Sequence, residues 1–189
     1  VGAAGPIAGF LVAVPVVIIG LALMAANPVI VPPDDESSIT IGTPLLYDAL
    51  AWPFGLPEDV IVHPTVFAGW VGLFVTAINL LPAGQLDGGH VASAMFGDKA
   101  RYASYAAVVA LLALGLAPMF GPVEIGGQEY ALPGYDGWIY FALLIGLLGL
   151  RHPPTLNGVS TLDGKRRLVG WGTFAIGVLC FTLVPVGGG

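Results

Sequence analysis

The chain has 189 residues, of which 56% are hydrophobic and only 10% are charged, and its formal net charge is −6. Soluble domains carry about a quarter charged residues, so this composition excludes an ordinary soluble protein and indicates a membrane-embedded one. With 12 acidic and 6 basic residues the chain offers no surface for nucleic acid, and a single cysteine excludes an internal disulfide.

Apolar segments predict an all-α, multi-pass bundle of transmembrane helices that forms a single domain over residues 1–189. In chain order the predicted spans are residues 6–26, 65–81, 102–120, 138–150 and 168–186. The fourth is short, because a span needs about 20 apolar residues. The first lacks the positively charged start of a signal peptide, so we interpret it as a span and expect Val1 to follow an earlier part of a longer protein.

Charge placement gives the predicted topology. The loops at residues 27–64 and 121–137 contain acidic residues but no Lys or Arg, and the basic residues all occur in the two alternate loops. By the positive-inside rule the basic loops are cytoplasmic, so the first span starts inside and the C-terminus ends outside. In the outer loop, residues 27–64, we expect an interfacial helix or a re-entrant hairpin anchored by Trp52 and Phe54.

The stretch NLLPAGQLDGGH, residues 79–90, carries the candidate chemistry. An Asp at membrane depth is costly unless it is paired, faces water or binds a cation, so Asp87 is a candidate functional residue. Pro82 and three glycines surround it, which predicts a broken helix whose free backbone groups line a polar cavity. Asn79 adds a donor and an acceptor just before the break.

This pattern resembles the site-2 protease family of intramembrane zinc metalloproteases. Asn79, Pro82, Asp87 and Gly88 match the family pattern Asn-x-x-Pro-x-x-x-x-Asp-Gly. The resemblance extends upstream to residues 4–6 and downstream to residues 152–154, so it covers most of the chain. It implies that Asp87 is the third Zn²⁺ ligand and that Asn79 orients the substrate. The predicted topology puts this stretch at the inner end of the second span, so we expect the active site near the cytoplasmic side. The implied substrate is a transmembrane segment of another membrane protein in the lipid bilayer.

One part of the family pattern is missing from the 189 residues. The family takes its other two ligands and its general base from an H-E-x-x-H helix. The only histidines here are His63, His90 and His152; none is followed by Glu, and none lies within four residues of another. We therefore expect the H-E-x-x-H segment to precede Val1, and we expect the chain to be inactive alone.

Several alternatives remain open at the level of sequence. The protein could be non-catalytic, either a pseudoprotease that binds clients or a transporter fragment, since broken helices also build ion sites in transporters. Asp87 could simply cap the helix that follows it, and Asn79 could form a hydrogen bond between helices. His90 is three residues from Asp87, but a catalytic zinc site needs three protein ligands and this pair alone does not supply them. An H-E-x-x-H span upstream would favour the protease.

Overall fold

The computed structural model describes residues 2–30, 39–57, 59–148 and 163–188. These residues are mostly helical, with short strands, in the order α1 (Ala4–Ala26), β1 (Ile39–Ile41), α2 (Leu45–Ala51), α3 (Pro64–Asn79), α4 (Asp87–Phe96), α5 (Ala100–Leu116), β2 (Val123–Ile125), β3 (Gln128–Tyr130), α6 (Gly137–Leu148), α7 (Gly164–Cys180) and β4 (Val186–Gly188). The chain divides into two compact units, one formed by residues 3–79 with residues 175–189, the other by residues 80–174 with Gly2.

The first unit is built on the antiparallel pair α1 and α3, which meet through small residues. A Cβ placed on Gly69 would lie 2.7 Å from the backbone nitrogen of Val17, and one on Gly72 would lie 2.9 Å from the Cβ of Ala13. Glycine at these positions therefore lets the two backbones approach closely, as small residues do between membrane helices. The fully buried side chains of this unit include Val17, Leu21, Val66 and Leu73.

The predicted outer loop contains a short helix, α2, followed by a 3₁₀ turn at Trp52–Phe54 that ends at Gly55 in the left-handed conformation. The Trp52 side chain is 85% exposed, whereas Phe54 packs against the hydrophobic core of the first unit. Strand β1 of this loop pairs antiparallel with β4 at the end of the chain. The location of α2 at a membrane surface stays a prediction.

The second unit contains α4, α5, α6, the hairpin of β2 and β3, and the first part of α7. Gly115 of α5 allows α6 to approach, because a Cβ there would lie 2.9 Å from the backbone nitrogen of Ile139. Trp138, at the start of α6, is fully buried. In the hairpin, Gly126 and Gly127 both have positive φ, as a two-residue turn between right-twisted strands favours.

The structure supports the helical prediction in part: the number of spans is not confirmed, and two small sheets were not predicted. Each predicted span contains a helix, but in the part of the chain that the structure describes only Ala4–Ala26 and the continuous stretch Asp87–Phe120 are long and apolar enough to cross a membrane. Helices α3 and α6 have 16 and 12 residues, which is short for a span, so the prediction of about five spans is not confirmed. The all-α prediction also missed two small sheets, β1 with β4 and β2 with β3.

Candidate active site

The predicted helix break is present at the motif. Helix α3 ends at Asn79, the next seven residues are not helical, and α4 begins at Asp87. Two backbone hydrogen bonds fold this loop, from the Ala83 amide to the Leu81 carbonyl at 2.7 Å and from the Leu86 amide to the Ala83 carbonyl at 3.2 Å. Gly84 has a φ of +55°, a conformation that glycine adopts at no steric cost.

Two glycines let the first turn of α4 lie directly on this loop. A Cβ on Gly88 would overlap the carbonyl groups of Leu80 and Leu81, and a Cβ on Gly89 would overlap the carbonyl oxygen of Gly84. Both glycines are buried. The Asp-Gly-Gly sequence therefore fixes where the Asp87 backbone sits, because any larger residue after Asp87 would push α4 away from the loop.

Ser104 of α5 holds the loop from the other side, and the sequence analysis missed it. Its side chain is 5% exposed, and its hydroxyl donates to the Pro82 carbonyl at 3.1 Å, with the Ala100 carbonyl 3.4 Å away. A serine in a helix composed mainly of apolar residues was the available signal, since a buried hydroxyl requires a partner. Its partner could not be read from the sequence.

Asp87 is the first residue of α4 and is half-buried. Among the described residues, none forms a hydrogen bond or an ion pair with its carboxylate. Asn79, the last residue of α3, is also half-buried. Asn79 belongs to the first unit and Asp87 to the second, so their placement side by side stays a prediction.

The two histidines that the structure describes, His63 and His90, do not complete a metal site with Asp87. His63 accepts a hydrogen bond from the Thr65 amide at its Nδ1, 3.2 Å away, and so caps the start of α3. His90 is exposed on α4, and His152 lies outside the described residues. Over residues 2–30, 39–57, 59–148 and 163–188 no group of three His, Cys, Asp or Glu side chains could hold a metal ion. These residues therefore offer one candidate ligand, Asp87, and not a complete zinc site.

The model of peptidase family M50 matches residues 1–120, which include α1, α3 and the whole motif. The chain belongs to peptidase family M50. This confirms the resemblance to the site-2 proteases. No solved structure matches the chain.

Relatives of this M50 chain are named as zinc metalloproteases. It is 34% identical to the probable zinc metalloprotease EGY1, chloroplastic, of Arabidopsis thaliana, over 97% of this chain and 31% of the relative. It is 37% identical to the corresponding EGY3 protein of Oryza sativa subsp. indica, over 71% of this chain and 20% of the relative. It is 32% identical to the probable zinc metalloprotease EGY2, chloroplastic, of Arabidopsis thaliana, over 79% of this chain and 30% of the relative. The chain thus spans about a fifth to a third of the length of these relatives.

Proposed function

We propose that the chain is part of an intramembrane zinc metalloprotease that hydrolyses peptide bonds in transmembrane segments of other membrane proteins, with Asp87 as the third protein ligand of Zn²⁺. The observation that carries the proposal is the half-buried Asp87 carboxylate, with which no described residue forms a hydrogen bond or an ion pair. It lies at the start of α4, whose first turn packs directly on the preceding loop. Membership of family M50 supplies the class of chemistry.

The chemistry of the carboxylate supports a cation at this point. Removing an ionised carboxylate from water is costly unless a charge or several donors compensate it, and Zn²⁺ accepts Asp oxygen as a ligand. The remaining two ligands and the general base would come from an H-E-x-x-H segment outside these 189 residues, because the chain contains no such sequence. The greater length of the EGY relatives is compatible with that arrangement.

The residues of this chain would have separate roles in the reaction. Gly84 in the loop, Gly88 in α4 and Ser104 in α5 would hold the first turn of α4 so that Asp87 presents its oxygen from a fixed backbone. Asn79 would orient the backbone of the unwound substrate segment by hydrogen bonds to its carbonyl and amide groups. Zinc, when bound, polarises the scissile carbonyl and lowers the pKa of its water. From the charge pattern we place this site near the cytoplasmic face.

The test is cleavage of a model spanning peptide in liposomes by the natural chain extended upstream through its H-E-x-x-H segment. We expect Asp87→Ala to abolish cleavage and Asn79→Ala to lower it while zinc is retained. The matched control Asp98→Ala, which alters an exposed carboxylate on the turn after α4, should cleave normally. Full activity of Asp87→Ala, or a natural protein that has no H-E-x-x-H segment, would overturn the proposal and favour a client-binding or transporter protein.

A further inference from the structure

Five basic side chains of the second unit come from two places in the chain. Lys99 and Arg101 lie at the start of α5, and the other three, Lys165, Arg166 and Arg167, lie in the first turn of α7. All five side chains are exposed. We call these five residues the basic patch. Arg151, the remaining basic residue, lies outside the described residues.

Aromatic packing brings the two groups to one end of the unit. Phe96, the last residue of α4, stacks on Phe174 at a centroid distance of 6.4 Å and meets the edge of Trp171 at 5.9 Å. Met95 packs against Gly170. Lys99 follows Phe96 by three residues, and Arg167 precedes Trp171 by four. The basic residues of α5 and those of α7 therefore both lie next to the contact between Phe96 and Trp171.

The five cations of the patch outnumber the two carboxylates near them, Asp98 and Asp163, of which Asp98 interacts electrostatically with Arg101. Asp163 is engaged as the cap of α7, where its Oδ1 accepts a hydrogen bond from the Arg166 amide at 2.8 Å. Arg101 donates to the Tyr102 hydroxyl at 3.0 Å and lies over that ring, which leaves its charge in place. No ion pair joins any of the five cations to a carboxylate described here. The patch is thus a local excess of positive charge on a chain whose net charge is −6.

Exposed apolar side chains follow the patch directly on both helices. Leu168 and Trp171 of α7 are 74% and 54% exposed, and Tyr102 of α5 is 59% exposed. Cations at the polar end of apolar helices, with Trp and Tyr beside them, match the depth of lipid headgroups. We propose that the basic patch binds the headgroups of anionic phospholipids at the bilayer surface. This inference depends on insertion in a membrane and not on proteolysis.

The experiment measures lipid selectivity of the 189-residue chain in nanodiscs of phosphatidylcholine, with spin-labelled phosphatidylglycerol or phosphatidylcholine as the probe. We expect the chain to associate preferentially with phosphatidylglycerol. Each Lys or Arg near an anionic surface raises the affinity for that surface by up to about fivefold. The triple variant Lys165→Gln/Arg166→Gln/Arg167→Gln should therefore lower the preference for phosphatidylglycerol about fivefold or more. Salt at about 1 M, where the Debye length is about 3 Å, should weaken it as well.

Two controls make the result decisive. The variant Glu124→Gln/Glu129→Gln/Asp136→Asn changes three charges beyond the other end of α5 and should keep the preference. If the α7 variant does not fold, Lys99→Gln/Arg101→Gln tests the same patch and should lower the preference. An unchanged preference in a folded patch variant, an equal loss in the control, or displacement of the lipid by inorganic phosphate would overturn the proposal.

Discussion

Single residues determine how the chain presents Asp87. The position of Gly88 leaves no room for a side chain, because the carbonyl groups of Leu80 and Leu81 occupy the space. The sequence predicted a break here from Pro82 and the glycines, and the break is present. It did not predict that Gly88 and Gly89 pack against the loop, since such a contact depends on how the loop folds back on α4.

We expect Gly88→Ala to destabilise the second unit by about 1–3 kcal/mol, as overpacking a buried position does. Thermal unfolding in detergent measures the effect. Gly146→Ala is the matched control, because Gly146 lies within α6 and a Cβ there meets nothing within 4 Å. That variant should be as stable as the wild type or slightly more stable, given the higher helix propensity of Ala. Equal stability of the two variants would contradict the packing at the break.

At the scale of elements, hydropathy predicted where the apolar helices occur in the chain, but it predicted the first and last residues of these helices less well. The last predicted span, residues 168–186, is a helix at Gly164–Cys180. Its start was missed because three basic residues occupy the first turn, which lowers hydropathy, whereas the Asp163 side chain caps that turn. Helix α4 was not predicted as a separate helix, since its ten residues mix glycine, His and Ser with apolar side chains.

The register of α1 against α3 gives a prediction at this scale. A Cβ on Gly9 would lie 3.4 Å from the Thr76 Oγ1, so two cysteines at these positions are close enough for a disulfide. In a Cys180→Ala background, Gly9→Cys/Thr76→Cys should crosslink on mild oxidation, as measured by mass spectrometry of the digested chain. Gly9→Cys/Val75→Cys is the matched control, because Val75 points outward and is 50% exposed. More efficient crosslinking of the control pair would show a different register.

For the whole molecule, the charge pattern still predicts the orientation in the membrane. Sequence alone could place the basic loops on one side, but counting spans also requires helix lengths, and α3 and α6 are shorter than a usual span. The test uses sealed vesicles and a Cys180→Ala background. Cysteines that replace Lys99 and Lys165 should react with an impermeant maleimide from the same side of the membrane. Gln128→Cys, at the start of β3 in the predicted outer loop of residues 121–137, should react from the opposite side. Labelling of Lys99→Cys and Lys165→Cys from opposite sides would refute the topology.

Zinc content per chain tests most directly the claim that Asp87 is the ligand that this chain contributes. In the natural protein extended through its H-E-x-x-H segment, we expect about one tightly held zinc after dialysis against a chelator, and the same content in Asp98→Ala. Asp87→Ala should lose it with the helices intact by circular dichroism, and the isolated 189-residue chain should hold none tightly, since one ligand does not form a site. Full zinc content in folded Asp87→Ala would contradict the account.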